Sequence, residues 1–230
     1  MHMLLLRPNG KWTDGVTRRV PIVRERARKY GPILDERVLS VRKDLLIAGP
    51  NASGKTRWLA KLDEKAPEIW AKQQKLFLRA TEPIQRWCED DRIIRWAEQH
   101  YGKTWARLRA FERVDALVKW VHDCKAVLLL DDAHKLTGRK LDVVLQLCRE
   151  CSRLVIGTWS EASMPMSLRM LLDRRDPQRI HLQSDAAYDI TNLAIWIMMI
   201  AALVVGWWQL AGVLAGMKML AGGRRAARQH

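Results

Sequence analysis

Residues 45–62 read LLIA, GPNASGKT and RWLAKL in immediate succession, and no other stretch restricts the fold so tightly. LLIA is a short continuous apolar run of the kind that forms a strand buried on both faces. RWLAKL carries Trp58, Leu59 and Leu62 at helical spacing. Between them, Gly49, Gly54, Lys55 and Thr56 fill the fixed positions of the pattern GxxxxGK[ST]. Gly49 and Gly54 let the backbone curl so that successive N–H groups converge on one point. The start of the following helix adds its partial positive charge to that point. A strand, a curled loop and a helix in this register make a cradle for a chain of phosphates.

The residue types assign themselves to the parts of a nucleoside triphosphate. Lys55 reaches the β- and γ-phosphates as a point charge. The Thr56 hydroxyl suits Mg²⁺. The expected cofactors are therefore ATP and Mg²⁺, with Gly49, Pro50, Asn51, Ala52, Ser53, Gly54, Lys55 and Thr56 as the binding residues. Residues 126–134, AVLLLDDAH, place two carboxylates at the end of a second apolar run. In this Walker B arrangement Asp131 is the expected metal residue, acting with Thr56, and Asp132 orients or deprotonates the attacking water.

The rest of residues 38–185 alternates strand and helix signals. Strands are expected at 45–48, 76–80, 126–130, 153–158 and 179–182. Helices are expected from the loop to about Leu62, over most of 83–123 with a break near Gly102, over 138–151 and over 167–174. This alternation predicts an α/β fold, a parallel sheet wrapped by helices.

On these motifs and this order of elements, residues 38–185 resemble the P-loop NTPases of the additional-strand class, which includes the AAA-type ATPases. The resemblance implies ATP hydrolysis. It implies that the strand after Walker B ends in a polar sensor; Thr158 matches, with Ser160 as second choice, and the alternative is a Thr that merely ends a strand. It also implies an arginine near Arg174 and Arg175 that reaches a neighbour's γ-phosphate, which would make the active form a homo-oligomer. The alternative is that both are solvated arginines. The chain departs from the pattern twice. Asp132 stands where the family usually has Glu, and only ten residues separate the last expected strand, 179–182, from the apolar run that starts at 193, so the family's helical lid is missing.

Charge and hydropathy bound the remainder. The chain has 40 Lys and Arg against 25 Asp and Glu, net +15, which favours a polyanion, either nucleic acid or anionic lipid. Without Lys218, Arg224, Arg225 and Arg228 of the basic tail, 218–230, the count is still 36 basic to 25 acidic, so the basic character belongs to the rest of the chain. Residues 1–37, rich in Arg and interrupted by Pro8, Pro21 and Pro32, read as an extended or partly helical basic arm. Four scattered cysteines suit a reducing compartment and exclude a disulfide scaffold.

After a linker, 186–192, residues 193–217 read LAIWIMMIAALVVGWWQLAGVLAGM, with Gln209 the one strongly polar side chain. As a helix this run would extend about 37 Å, more than the ~30 Å hydrocarbon layer. A single C-terminal transmembrane helix is expected, with the NTPase domain cytoplasmic; a re-entrant hairpin broken near Gly206 is the alternative. The leading functional expectation is a membrane-anchored ATPase acting on or beside nucleic acid or a membrane assembly. Its layout is similar to that of phage assembly or export ATPases, in a bacterial, phage or plasmid setting. A second reading is a nucleotide-gated membrane switch with little turnover. A third is a small-molecule kinase, which the extra strand disfavours.

Overall fold

A computed structural model describes residues 2–26, 32–71, 73–182, 198 and 200. Met1–Ser184 forms one compact unit and Asp185–His230 a second. In the second unit only Met198 and Ile200 are described, both helical. The rest of the apolar run 193–217, the linker 186–192 and the tail 218–230 lie outside the described residues. Among the described residues no helix is long and apolar enough to cross a membrane, so the transmembrane expectation has no support there.

The first unit is built on two sheets. Strands β4 (Leu45–Ala48), β5 (Lys75–Arg79), β6 (Val127–Asp131), β7 (Arg153–Thr158) and β8 (Gln178–His181) form a five-stranded sheet in the order β5-β6-β7-β4-β8. Every pair in it is parallel. The loop strand β4 does not touch the Walker B strand β6, because β7 lies between them. This is the α/β architecture of a P-loop NTPase.

Period-2 alternation along these apolar strands feeds two cores. Leu46, Leu76, Leu78, Leu128, Leu130, Leu154 and Ile156 face one side. There they meet helices α3 (Ile84–Trp87), α4 (Asp91–Tyr101), α5 (Ala110–Cys124), α6 (Gly138–Glu150) and α7 (Met166–Arg174). Gly102, in the left-handed region at φ 61°, ends α4 where the sequence predicts a break. Leu45, Ile47, Val127, Leu129 and Val155 face the other side, toward α1 (Lys55–Glu64) and α2 (Ala66–Trp70).

The expected basic arm is a correction. Residues 2–11, 17–26 and 33–38 form three antiparallel strands, β1 (His2–Lys11), β2 (Thr17–Arg26) and β3 (Ile33–Val38), in that order. Leu4 and Val23 are cross-strand partners and join Leu59 and Leu62 of α1 in the second core. Among the described residues two helices pack on that face, and the small sheet adds to its cover. Many of the segment's cations are held within the fold. Arg7 and Arg24 both pair with Glu36, Arg19 pairs with Glu68, and Arg18 lies 4.9 Å over the Trp12 ring.

Candidate functional site

Adjacent parallel strands bring the sequence motifs to one edge. Ala48 of β4 is in register with Thr158 of β7, and Ile156 with Leu130 of β6. The loop after β4, the end of β7 and the two carboxylates after β6 therefore share the carboxyl edge of the sheet, where open α/β sheets bind ligands. The loop is pinned there: the Gly49 N–H donates to the carbonyls of Thr158 at 3.2 Å and Trp159 at 3.1 Å.

Two glycines are required here, one by packing and one by backbone conformation. A Cβ on Gly49 would lie 2.6 Å from the Leu182 carbonyl oxygen and 2.8 Å from Ser53 Oγ. Gly54 sits at φ 89°, in the left-handed conformation that turns the loop into α1.

Lys55 is buried at 6% exposure. Its Nζ donates to the loop's own carbonyls, Gly49 at 2.7 Å and Pro50 at 2.8 Å. Burial pushes its pKa down, and the carboxylates of Asp132 and Asp131 oppose that shift. Ser53 Oγ is buried with no hydrogen-bond partner. A cation satisfied only by its own loop and an orphaned hydroxyl beside it fit an incoming polyphosphate. Thr56 is exposed in the first turn of α1.

Asp131 is buried at 3% exposure, and its Oδ1 accepts the N–H of Asp132 at 2.9 Å. Asp132 stands in the left-handed region at φ 57°, and its Oδ2 accepts from Lys135 Nζ at 2.6 Å. Thr158 is fully buried, and its hydroxyl donates to the Ser160 carbonyl at 3.2 Å. Its position is that of the expected sensor, but its hydrogen bond is spent on the turn that follows β7. Ser160 is tied to Ser163 through its N–H and its Oγ.

The structure separates Arg174 from Arg175. Arg175 pairs with Asp44, and its Nη1 donates to the Cys148 carbonyl at 2.7 Å. Asp44 precedes β4, and Cys148 ends a helix leading into β7, so this pair lies at the amino edge of the sheet. The catalytic expectation for Arg175 is corrected: its guanidinium is consumed in a buried structural pair. Arg174 is exposed at the end of α7.

Three residues at the site escape a motif reading. Lys135 holds Asp132. His134 accepts the Trp159 N–H on Nδ1 at 3.4 Å, and burial lowers its pKa. A Cβ on Gly157 would lie 3.1 Å from Asp131 Oδ1 and 2.6 Å from Leu59 Cδ1. A lone glycine inside a buried strand was the available signal for that close approach.

No family model matches this chain, and no curated protein matches it. Among solved structures it is similar to Cdc6p from Pyrobaculum aerophilum, at 15% identity and TM-score 0.40 over 60% of this chain and 38% of that one. It is also similar to the Aeropyrum pernix Orc1 protein in complex with DNA, at 17% identity and TM-score 0.40 over 62% and 39%. The chain thus spans about two fifths of the length of these structures. The strand order and the loop give the chain a P-loop NTPase-like α/β fold.

Proposed function

We propose that this chain is an Mg²⁺-dependent, ATP-binding ATPase of the additional-strand P-loop class. One observation carries the reading. Three neighbouring parallel strands gather the phosphate loop, Thr158 and the Asp131–Asp132 pair at one sheet edge, where Lys55 and the Oγ of Ser53 are buried without an outside partner. Lys55 and the backbone of 49–56 would hold the phosphates, and Thr56 and Asp131 would hold the metal. Bound Mg²⁺ supplies charge neutralisation at the β- and γ-oxygens. Asp132 Oδ2 would accept the proton of the attacking water. Arg174, exposed on α7, is the residue left to act in a neighbouring subunit's site within a homo-oligomer.

The surroundings belong to the same proposal. The apolar run 193–217 anchors the protein in a membrane with the ATPase unit in the cytoplasm. The surplus of basic residues directs it to nucleic acid or to anionic lipid beside the anchor.

One observation favours the second reading, a nucleotide-held switch with little turnover. Asp132 is shorter than the family's usual Glu, and Lys135 occupies its Oδ2 at 2.6 Å. ATP binding and turnover by the detergent-purified full chain, with and without DNA, RNA or anionic vesicles, tests both. Polymer-stimulated hydrolysis supports the motor. Tight Mg²⁺-dependent binding with negligible hydrolysis supports the switch. Absence of ATP binding overturns the proposal.

A further inference from the structure

A second cavity, of about 320 Å³, opens between α3, the turn at 105–107, α5 and the start of α6. None of the nucleotide-loop or Walker B residues lines it. Its volume falls at the lower end of the range for small-molecule sites, roughly 300–1,000 Å³. Ile84, Trp105 and Val114 give it an apolar floor.

Its charged wall is one-sided. Arg113, Arg139 and Lys140 line it against a single acid, Glu89, which lies 3.5 Å from Arg86 outside the lining. Lys140 Nζ is tied to the Ala80 carbonyl at 2.8 Å.

Arg113 identifies the chemistry. Its Nη2 donates to the Trp105 carbonyl at 3.1 Å, and its guanidinium lies 5.2 Å over the Trp105 ring. Those contacts fix its orientation. A planar guanidinium held in this orientation suits a carboxylate or another oxyanion. The ring beneath it offers a stacking face to an apolar body.

We propose that this cavity is a binding site for a small organic anion: an aromatic or aliphatic body on the Trp105–Val114 floor, with its acid group on the Arg113 guanidinium. Such a ligand offsets the excess of cations along the lining. Binding here is independent of the nucleotide.

Calorimetry on the full chain tests this with 1-naphthoate as the probe and 1-naphthalenemethanol as its uncharged counterpart. Naphthoate is expected to bind once per chain, about tenfold or more tighter than the alcohol, as loss of a charge-assisted hydrogen bond demands. Saturating ATP should leave that affinity unchanged. Ala110→Trp, at an exposed lining position on the first turn of α5, should abolish binding. Arg113→Met should weaken it about tenfold, and Arg113→Lys should restore part of the loss. Equal affinity for acid and alcohol in the unmutated chain would overturn the proposal without reliance on any variant. Undiminished binding to Ala110→Trp, or no naphthoate binding at millimolar concentration, would overturn it too.

Discussion

At the amino edge of the parallel sheet, Asp44 accepts from Arg175 and from the Leu154 N–H at 2.9 Å, while Arg175 also caps the end of α6 through the Cys148 carbonyl. At the carboxyl edge, Lys55 donates only to two carbonyls of its own loop, and Ser53 Oγ to nothing. Asp44 at 4% exposure and Lys55 at 6% are buried alike. Burial of a charge therefore does not separate structure from site here; unfilled hydrogen-bonding capacity does. The amino edge is a closed network that stabilises the fold. The carboxyl edge is an open one, which the proposed nucleotide would complete.

The largest expected effect comes from breaking the closed edge. Asp44→Ala leaves the Arg175 guanidinium without its carboxylate and the Leu154 N–H without an acceptor. Removing one partner of a buried pair costs about 3–5 kcal/mol, and the 24% exposure of Arg175 puts this case at the low end. Urea unfolding measures it, and the fraction that folds should bind ATP normally. A loss below about 1 kcal/mol, the range of an exposed pair, would erase the contrast between the edges.

The open edge should respond the other way. Lys55→Ala is expected to lower turnover about 100-fold or more, the scale of a lost electrostatic donor, with little change in unfolding free energy. Asp131→Asn should lose Mg²⁺ dependence, and Asp132→Asn should retain binding while losing hydrolysis. Unchanged affinity and turnover in Lys55→Ala would remove the phosphate loop from the mechanism. Normal hydrolysis by Asp132→Asn would move the base elsewhere.

A smaller effect sharpens how the open edge is kept in shape. In Gly157→Ala the new methyl would press on Leu59 Cδ1 and Asp131 Oδ1. Overpacking of this kind costs roughly 1–3 kcal/mol. Because one of the two neighbours is Asp131, the proposed metal carboxylate, Mg²⁺ dependence should shift along with the urea midpoint. A stability loss with normal Mg²⁺ dependence would make Gly157 a packing residue alone.

The two edges also differ in how far the sequence discloses them. The open edge is written in contiguous letters, GPNASGKT and DD, each at the end of an apolar strand run. Three further runs, LFLRA, RLVIGT and RIHL, placed the other parallel strands to within one residue. The closed edge joins Asp44, Cys148 and Arg175, which are distant in the chain and carry no spacing signal, so Arg175 was indistinguishable from Arg174 before folding. The N-terminal sheet was obscured for another reason. Pro8 and Pro21 sit inside its strands, and its apolar positions are diluted by arginines whose partners, Glu36 and Glu68, lie far along the chain. Lys135 and His134 follow directly on DDA, yet only the turn after β6 shows that they serve the site.

The smallest expected effect concerns His134, at the rim of the open edge. The Trp159 N–H donates to its Nδ1, so that bond requires a neutral imidazole. Burial, followed by the nearby cations Lys135 and Lys55, holds its pKa below the ordinary 6.5, against the pull of Asp132 and Asp131. The sign follows from proton counting. Between the lowered folded value and 6.5 the unfolded chain binds more protons than the folded one, so stability rises with pH through that window and is fully present above it. Acidification from about pH 7.5 to about 5.5 should therefore lower the urea midpoint of the unmutated chain slightly more than that of His134→Gln, whose amide oxygen can accept the same N–H without titrating. The difference should be small, because His134 is only half-buried and solvent screens part of the shift. Identical pH slopes would show that the Trp159 turn does not depend on a neutral His134.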